Sequence, residues 1–225
     1  KYRGERSMSL AIFDLDNTLI GGDSDYLWGE FLCDEGVILN REAFKKKNEY
    51  FYQQYELGLL DIFAWAEFSF KILSQNTLEE LEELRRNFMI QKIEPIFLHK
   101  AQNCINNHKK NGDTVLVITA SNTFVVAPIV QRYGIDNLLA TVPEMLSERF
   151  TGKVSGVPCF QSGKIDNLMP WMTQNNETLK GSYFYSDSHN DLPLLELVDN
   201  PVAVNSDKIL TLEASNRGWP ILDWR

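Results

Sequence analysis

Residues 9–18 read SLAIFDLDNT, a short and mostly apolar segment that stops abruptly at two aspartates. Such a segment is typical of a strand buried inside a parallel sheet, because a strand covered on both faces carries apolar residues at nearly every position. We therefore predict a first strand at residues 9–13. Asp14 and Asp16 then lie in the loop beyond its carboxyl end, where open α/β sheets bind their ligands.

Three later segments have the same character, and each ends in polar residues. They predict strands at residues 114–118, 182–185 and 202–204. Helical patterns accompany these strands at residues 122–133, 163–176 and 190–198. The repeated order of strand, loop and helix is typical of a doubly wound parallel sheet, so we predict an α/β fold of that kind.

The segment between the first two predicted strands has a different pattern. Residues 24–92 show helical periodicity, many aromatic side chains and little strand character. Gly58 and the pair Asn76-Thr77 predict helix breaks, and Thr77 with Glu80 predicts a capping box at a helix start. Most of the aromatic rings are expected to form the core of a helical bundle, and some of them to line a substrate pocket.

These patterns predict how the chain is divided. Residues 8–20 and 95–225 form an α/β core, and residues 21–94 form an inserted helical cap. Residues 1–7 precede Met8 and are either an artificial tag remnant or a short natural extension.

Composition narrows the classes of function. The chain has 225 residues and a formal net charge of −9, with no basic stripe beyond Lys45–Lys47, so nucleic acid is not expected as a partner. No apolar run approaches the roughly 18–20 residues that span a bilayer, so no membrane association is expected. The odd count of widely spaced cysteines (Cys33, Cys104 and Cys159) predicts reduced thiols in a cytoplasmic protein. The oligomeric state is left open.

Four polar clusters lie at the predicted strand ends or near a helix start. They are Asp14-Leu15-Asp16-Asn17-Thr18, Thr119, Lys164 and Asp187-Ser188-His189-Asn190-Asp191. In this order they resemble the four motifs of the haloacid dehalogenase superfamily of phosphatases, and the resemblance covers residues 8–20 and 95–205. The last cluster and the helical insertion look like the phosphoserine phosphatase-like branch, subfamily IB. Two further segments resemble bacterial histidinol-phosphatases of that branch: Trp28-Gly29-Glu30 and Pro158-Cys159-Phe160-Gln161.

The resemblance implies a Rossmann-like core and an Mg²⁺-dependent phosphomonoesterase. Asp14 is then the nucleophile that forms an aspartyl-phosphate, and Asp16 is the general acid and base. Asp14, Asp187 and the backbone carbonyl of Asp16 are the implied metal ligands, and Asp191 orients them. A purely structural reading of Asp191, as a charge favoured near a helix N-terminus, stays open beside this one.

The implied phosphate-binding groups are the hydroxyl of Thr119, the backbone N–H of Ala120 and the side chains of Lys164 and Asn190. These assignments agree with the chemistry of a phosphate monoester. A carboxylate nucleophile divides a slow displacement into two easier ones. Mg²⁺ prefers oxygen ligands and commonly takes one or two carboxylates. Asp16 can protonate the leaving alkoxide and later deprotonate the attacking water.

The substrate prediction depends on the cap. The phosphoserine phosphatases that this sequence resembles use a glutamate after the first motif and a cap arginine. Here Asp23 takes the place of the glutamate with Asp25 close behind, and residues 50–72 contain Lys71 but no arginine. A substrate carboxylate would lack its bidentate partner, so a cationic or aromatic alcohol phosphate is favoured, and histidinol phosphate fits best.

Several alternatives stay open at this point. Asp23 could simply cap the helix that starts near Ser24, with Asp25 in its first turn. The enzyme could be a phosphoserine phosphatase, a phosphotransferase or a lipid-phosphate phosphatase of the same fold. A module that binds a phosphorylated ligand without catalysis is disfavoured, because Asp14 and Asp16 are both present. His189 is predicted to be a solvent-facing loop residue, and His99 and His108 to be surface or packing residues.

Overall fold

The computed structural model describes residues 8–225, and the prediction made for residues 1–7 lies outside them. The strands are β1 (Leu10–Phe13), β2 (Thr114–Asn122), β3 (Asn137–Leu146), β4 (Arg149–Ser155), β5 (Tyr183–Ser186), β6 (Asn200–Val204) and β7 (Ile221–Leu222). Within the described residues they form one seven-stranded sheet in the order β4-β3-β2-β1-β5-β6-β7. All neighbouring pairs are parallel except β3 and β4.

Helices occupy most of the rest of the chain. They are α1 (Ser24–Asp34), α2 (Arg41–Glu56), α3 (Ile62–Gln75), α4 (Leu78–Phe88), α5 (His99–Asn111), α6 (Thr123–Arg132), α7 (Ser162–Asn175), α8 (Leu192–Leu195) and α9 (Lys208–Arg217). A π-helical turn at Met89–Ile93 and 3₁₀ turns at Glu94–Ile96 and His189–Asp191 complete them.

The sheet is covered by hydrophobic layers on both faces. Along β1, Ala11 and Phe13 belong to one buried cluster, whereas Leu10 and Ile12 belong to the other. This division follows from the period-two alternation of side chains along a strand. The first cluster includes residues of α5 and α6, and the second includes residues of α7, α8 and α9. The predicted doubly wound α/β fold is therefore confirmed.

The segment between β1 and β2 is helical, as predicted. Helix α2 ends shortly before Gly58, and α4 begins after Thr77. The Thr77 hydroxyl accepts a hydrogen bond from the Glu80 backbone N–H at 3.3 Å, and the Glu80 carboxylate accepts one from the Thr77 backbone N–H at 2.8 Å. The predicted capping box is present. The boundaries of a separate cap at residues 21–94 stay a prediction, because the first hydrophobic cluster continues from the sheet into α1, α3 and α4.

The sequence interpretation was incomplete at three elements. It did not include the antiparallel hairpin of β3 and β4, which packs against α3. Strand β2 extends to Asn122, beyond the predicted end at residue 118, with an irregularity in its pairing with β3 after Ile118. The helix predicted at residues 190–198 is instead a 3₁₀ turn followed by the four-residue α8.

Two inferences from composition can be compared with the structure. Cys33, Cys104 and Cys159 form no disulfide in the structure, and their reduced state in a cytoplasmic protein stays a prediction. Among residues 8–225, no helix combines the length and the apolar character needed to cross a membrane.

Candidate active site

The carboxyl ends of the central strands bring the predicted residues together. Asp14 directly follows β1, and its backbone N–H donates to the Tyr185 carbonyl of β5 at 2.9 Å, so its position is fixed by the sheet. The Asp14 side chain is buried, and its Oδ1 accepts a hydrogen bond from Lys164 Nζ at 2.8 Å. Lys164 lies at the start of α7 and also binds Asp191 at 2.7 Å. One buried lysine therefore joins two carboxylates from different loops.

Asp191 has a second partner in the sheet. Its Oδ2 accepts a hydrogen bond from Ser186 Oγ, the last residue of β5, at 2.6 Å. The side chain is 2% exposed, so its orientation is set entirely by the protein. This geometry agrees with a supporting role for Asp191 behind Asp14, although that role stays a prediction.

Asp187 and Asp14 approach each other through Thr18. The Thr18 hydroxyl lies 3.2 Å from Asp187 Oδ1 and 3.5 Å from Asp14 Oδ2. One oxygen of each carboxylate therefore lies within 3.5 Å of the Thr18 hydroxyl. The sequence did not assign a role to Thr18, which the first motif places four residues after Asp14.

Asp16 is held by three donors. Its Oδ1 accepts from the Ser24 backbone N–H at 2.6 Å, and its Oδ2 accepts from Ser121 Oγ at 2.6 Å and Thr119 Oγ1 at 3.3 Å. The predicted contact of Thr119 with phosphate stays a prediction, since its hydroxyl is directed to Asp16 here. Ser121 was missed by the sequence interpretation, although residues two apart on a strand face the same side.

The electrostatics of the site reflect a surplus of buried carboxylates. Burial raises the pKa of Asp14 to about 7, against the opposing effect of Lys164. Burial and the nearby charge of Asp14 also raise the pKa of Asp187. Burial alone would lower the pKa of Lys164, but Asp14 and Asp191 more than offset it and hold that pKa above its ordinary range.

This surplus provides a test of whether Mg²⁺ fits the site. Asp14, Asp187 and Asp191 share a single lysine, Lys164, and Asp16 adds a further carboxylate beside Asp14, so a bound cation would neutralise the remaining negative charge. Among residues 8–225, no three His, Cys, Asp or Glu side chains are arranged to hold a metal. Mg²⁺ does not need three, because it commonly takes one or two carboxylates and keeps several waters. The pair of Asp14 and Asp187 is therefore a suitable donor set.

A cavity extends from these carboxylates into the helical segment. Its volume is about 520 Å³, part of it open to solvent. It is lined by Asp14, Asp16, Asp23, Asp25, Tyr26, Asn48, Phe51, Tyr52, Tyr55, Leu60, Ile62, Trp65, Thr119, Ala120 and Ser121. Some aromatic side chains of the helical segment therefore line this cavity, and the lining contains neither lysine nor arginine.

Asp23 and Asp25 both line this cavity but differ in their partners. Asp23 is the N-cap of α1, where its Oδ1 accepts the Tyr26 backbone N–H at 2.8 Å. Burial and the nearby Asp16 raise the pKa of Asp23 to about 8. Both oxygens of Asp25 accept hydrogen bonds from Asn122, at 3.0 Å from the backbone N–H and 2.6 Å from Nδ2. The predicted contacts of Asp23 and Asp25 with substrate stay predictions.

Asn190 and Gln161 connect the core to the end of α2. Asn190 Nδ2 donates to the Tyr55 carbonyl at 2.9 Å, and its Oδ1 accepts from Gln161 Nε2 at 3.0 Å. Gln161 Nε2 also lies 3.4 Å from the Gly58 carbonyl. The structure therefore brings Asn190 to the helical segment, while its contact with phosphate stays a prediction. Gln161 had no predicted role.

The prediction made for one of the histidines is wrong. His189 is not a solvent-facing residue: its side chain is 14% exposed, and Nδ1 lies 2.8 Å from Asp207 Oδ2. The acidic partner on the loop before α9 holds the ring against the protein. His108 is a packing residue, as expected, and lies between Asp113 at 2.7 Å and the Tyr185 hydroxyl at 2.8 Å. His99 is exposed.

Comparison with known proteins agrees with this geometry. The family model of haloacid dehalogenase-like hydrolases matches residues 11–196. A protein named histidinol-phosphatase from Neisseria meningitidis is 42% identical over 221 residues, covering 96% of this chain and 99% of that protein.

Solved structures provide a second comparison. The structure of a protein of unknown function from Bordetella pertussis Tohama I has a TM-score of 0.92 and 36% identity, covering 98% of this chain and 100% of that one. A substrate-bound phosphoserine phosphatase has a TM-score of 0.72 over 98% of this chain and 94% of that one. At 16% identity, the latter shows a common fold alone.

Proposed function

The chain belongs to the haloacid dehalogenase-like hydrolases, and we propose that it is an Mg²⁺-dependent phosphatase that transfers the phosphoryl group of a small metabolite to Asp14 and then hydrolyses the aspartyl-phosphate. The observation that carries this proposal is the arrangement of Asp14. Its carboxylate is buried, fixed by Lys164 and open to the same cavity as Asp16. A fixed carboxylate beside a second, differently held carboxylate suits nucleophilic and acid–base chemistry in one site.

In the first step, a carboxylate oxygen of Asp14 attacks the phosphorus atom. The bond between phosphorus and the ester oxygen breaks, and the departing alkoxide takes a proton from Asp16. Lys164 holds Asp14 Oδ1 and so fixes the direction from which the carboxylate attacks. The products of this step are the free alcohol and a phosphoryl group bonded to Asp14.

In the second step, water attacks the phosphorus atom of the aspartyl-phosphate. Asp16, now ionised, accepts a proton from this water, and the bond between phosphorus and Asp14 breaks. Inorganic phosphate leaves, and both aspartates return to their starting forms. Asp16 thus acts as an acid in one step and as a base in the other.

The charge of the transferring group needs positive partners. The carboxylates of Asp14 and Asp187 and the carbonyl oxygen of Asp16 would hold Mg²⁺, which would supply positive charge between an anionic carboxylate and an anionic phosphate. Lys164 adds a second positive charge, and the Thr119 hydroxyl and Ala120 N–H donate hydrogen bonds to phosphoryl oxygens. Asn190, which lies between the core and Tyr55, positions the phosphate or the helical segment over it.

For the substrate we propose histidinol phosphate. The cavity lining offers acidic and aromatic side chains, with no lysine or arginine to bind a substrate carboxylate. This composition suits an amine and an imidazole better than the carboxylate of phosphoserine. The Neisseria meningitidis relative, at 42% identity over nearly its full length, carries the name of that activity. Asp23 is the carboxylate proposed to bind the substrate's ammonium group.

Turnover by the Asp14→Asn variant tests the proposed reaction. Asparagine keeps the shape of the side chain but removes both the nucleophile and one metal charge. We expect phosphate release from histidinol phosphate to require Mg²⁺, to stop when the metal is chelated, and to be abolished in the variant. Far-UV circular dichroism serves as the control for folding. A folded variant within about tenfold of wild-type activity would remove Asp14 from its role.

A further inference from the structure

The cavity continues beyond the carboxylates to a wall formed by the first three helices. Tyr26 of α1, three residues of α2 (Asn48, Phe51 and Tyr52) and Trp65 of α3 all line it. The same cavity contains Asp14 and Asp16. A phosphomonoester bound in this cavity with its phosphorus at Asp14 would extend its alcohol toward these side chains.

Asn48 has the only amide side chain among the residues that line this cavity. The residue is 7% exposed, and its Nδ2 donates to the Tyr26 backbone carbonyl at 3.1 Å. A carbonyl oxygen can only accept a hydrogen bond, so this contact fixes which end of the amide faces Tyr26. The other end, Oδ1, has no hydrogen-bond partner in the described protein.

The unpaired Asn48 Oδ1 is not fully buried. Within residues 8–225, Ser24 Oγ is the single fully buried side-chain oxygen or nitrogen without a hydrogen bond. Asn48 Oδ1 also has no partner, so it must keep some contact with the cavity that the residue lines. A ligand that donates a hydrogen bond to Asn48 Oδ1 would satisfy this unpaired acceptor.

Gly29 in the middle of α1 provides the space for this arrangement. A Cβ atom at Gly29 would lie 2.9 Å from Asn48 Nδ2 and 2.9 Å from a ring carbon of Phe44. Glycine is less favourable than alanine inside a helix, and its presence here lets α2 approach closely enough for Asn48 to reach Tyr26. Gly29 therefore allows α1 and α2 to pack closely, and this packing fixes the orientation of the Asn48 amide.

The order of groups along the wall indicates which part of a substrate meets Asn48. Ser24 binds Asp16 through its backbone N–H, the adjacent Asp23 caps the helix at Tyr26, and the Tyr26 carbonyl holds Asn48. Asp23 is therefore close to Asp14 and Asp16. Asn48 lies farther from them, because it is connected through Tyr26. Aromatic side chains beside Asn48 favour a planar ring over a flexible chain.

We propose that Asn48 is a specificity-determining residue that accepts, through Oδ1, an N–H hydrogen bond from a planar nitrogen heterocycle on the leaving alcohol. This inference rests on the proposed phosphatase function. It names the substrate class as phosphates of amino alcohols that end in such a ring, with Asp23 binding the amine and Asn48 the ring N–H.

The test compares two substrates that differ in the ring alone. Histidinol phosphate has an amine and an imidazole, whereas phenylalaninol phosphate keeps the amine but has a phenyl ring without N–H. The variant is Asn48→Leu, and the matched control is Asn87→Leu on the exposed side of α4. kcat/KM is measured for both substrates and for phenyl phosphate, with Mg²⁺ present.

We expect Asn48→Leu to lower kcat/KM for histidinol phosphate by about threefold or more, as loss of one hydrogen bond does. The value for phenylalaninol phosphate should stay within about twofold of wild type. Asn87→Leu should change neither. Should Asn48→Leu fail to fold, Asn48→Ser, whose hydroxyl is too short to reach the ring, is measured in its place.

Two results would overturn the inference on its own. One is an equal loss on both substrates, which a merely structural role of Asn48 would give. The other is a wild-type kcat/KM for histidinol phosphate in Asn48→Leu. Hydrolysis of phenyl phosphate shows in the same experiment that the phosphatase reaction works. If no phosphomonoester were hydrolysed, the proposed function would fail and this inference with it.

Discussion

Asp16 accepts hydrogen bonds from three donors, and these limit which of its oxygens can face a substrate. A general acid must direct one oxygen toward the leaving alcohol, yet Oδ2 accepts from Ser121 and Thr119 and Oδ1 from Ser24. The backbone N–H of Ser24 cannot move independently, whereas the two hydroxyls can rotate. Substrate binding is therefore expected to turn the Thr119 hydroxyl from Asp16 to the phosphoryl oxygens, which leaves Ser121 as the one remaining donor to Oδ2.

Replacement of Asp16 by Asn tests its proton transfers. Loss of general acid–base help typically costs about 10²–10⁴-fold. We expect the Asp16→Asn variant to transfer the phosphoryl group of an alkyl ester more slowly by a factor in that range. The defect should shrink for an aryl phosphate, whose leaving group barely needs a proton. Rapid-quench measurement of the first turnover checks this, and an equal loss for alkyl and aryl esters would exclude Asp16 as the acid.

Replacement of Asp23 by Asn separates substrate binding from helix capping. Asn caps a helix as well as Asp does, so a pure capping role would leave the order of substrates unchanged. We expect Asp23→Asn to lower kcat/KM selectively for cationic substrates, because a hydrogen bond to a charged group contributes about 1.5–3 kcal/mol. That corresponds to roughly tenfold to a hundredfold.

The matched control is Asp61→Asn. Asp61 is likewise an N-cap, of α3, and accepts from the backbone N–H of Phe63 and Ala64, but it is exposed and does not line the cavity. Histidinol phosphate is compared with a neutral alkyl phosphate in both variants. An unchanged ratio in Asp23→Asn, or a wild-type preference for phosphoserine, would contradict the assignment.

The sequence located the acidic residues of the site together with Lys164 and Thr119, but not two of the amide side chains around them. Asp14, Asp16 and Asp187 could be placed because each follows a predicted strand, and strand ends of a parallel sheet converge. Gln161 and Asn48 could not be placed in this way. Each acts across an interface between segments far apart in the chain, and a lone amide in a loop or helix carries no pattern of its own.

At the scale of elements, the end of α2 connects the helical segment to the catalytic core. The backbone N–H of Gly58 donates to the Tyr55 carbonyl at 3.0 Å, and that of Leu59 donates to the Gln54 carbonyl at 2.8 Å. This is a Schellman motif, which needs a residue at positive φ; Gly58 has φ 71°. The turn presents the Tyr55 and Gly58 carbonyls to Asn190 and Gln161.

Gly58→Ala tests whether this contact matters for activity. An added Cβ would lie 2.9 Å from His189 Nε2, in addition to the cost of positive φ. We expect a loss of about 1 kcal/mol or more in the free energy of unfolding, and a lower kcat/KM for phenyl phosphate because the α2 end is pushed off the core. Denaturant titration and steady-state kinetics measure the two effects.

Gly156→Ala provides the control for backbone strain alone. Gly156 has φ 73° and no heavy atom within 4 Å of its added Cβ. It should lose comparable stability while keeping wild-type activity. If both variants kept full activity, the contact between α2 and the core would have no part in catalysis.

The elements themselves were predicted unevenly, for identifiable reasons. The buried parallel strands are apolar at nearly every position and could be found at once. The β3–β4 hairpin could not, because its turn has Ser147 and Glu148 at positive φ, where glycine or asparagine is the usual signal. Pro143 within β3 also argues against a strand at first sight.

At the scale of the whole molecule, the strand order determines which residues meet. β1 lies between β2 and β5, so Asp14 after β1, Thr119 near the end of β2 and Asp187 after β5 are neighbours at the carboxyl ends of the central strands. The sequence predicted the parallel strands and their order in the chain. It could not specify their order in the sheet, because pairing depends on contacts between segments distant in sequence. The resemblance to a known family implied a Rossmann-like core but no particular strand order.

The central claim is that the phosphoryl group passes through Asp14. Its most direct test is an acid-quenched first turnover with a phosphate-labelled aryl ester, followed by location of the label by peptide mapping. We predict label on the peptide that contains Asp14, more of it in Asp16→Asn, where release is slowed, and none in Asp14→Asn. Label on a different residue, or continued turnover in Asp14→Asn without protein-bound label, would contradict the account.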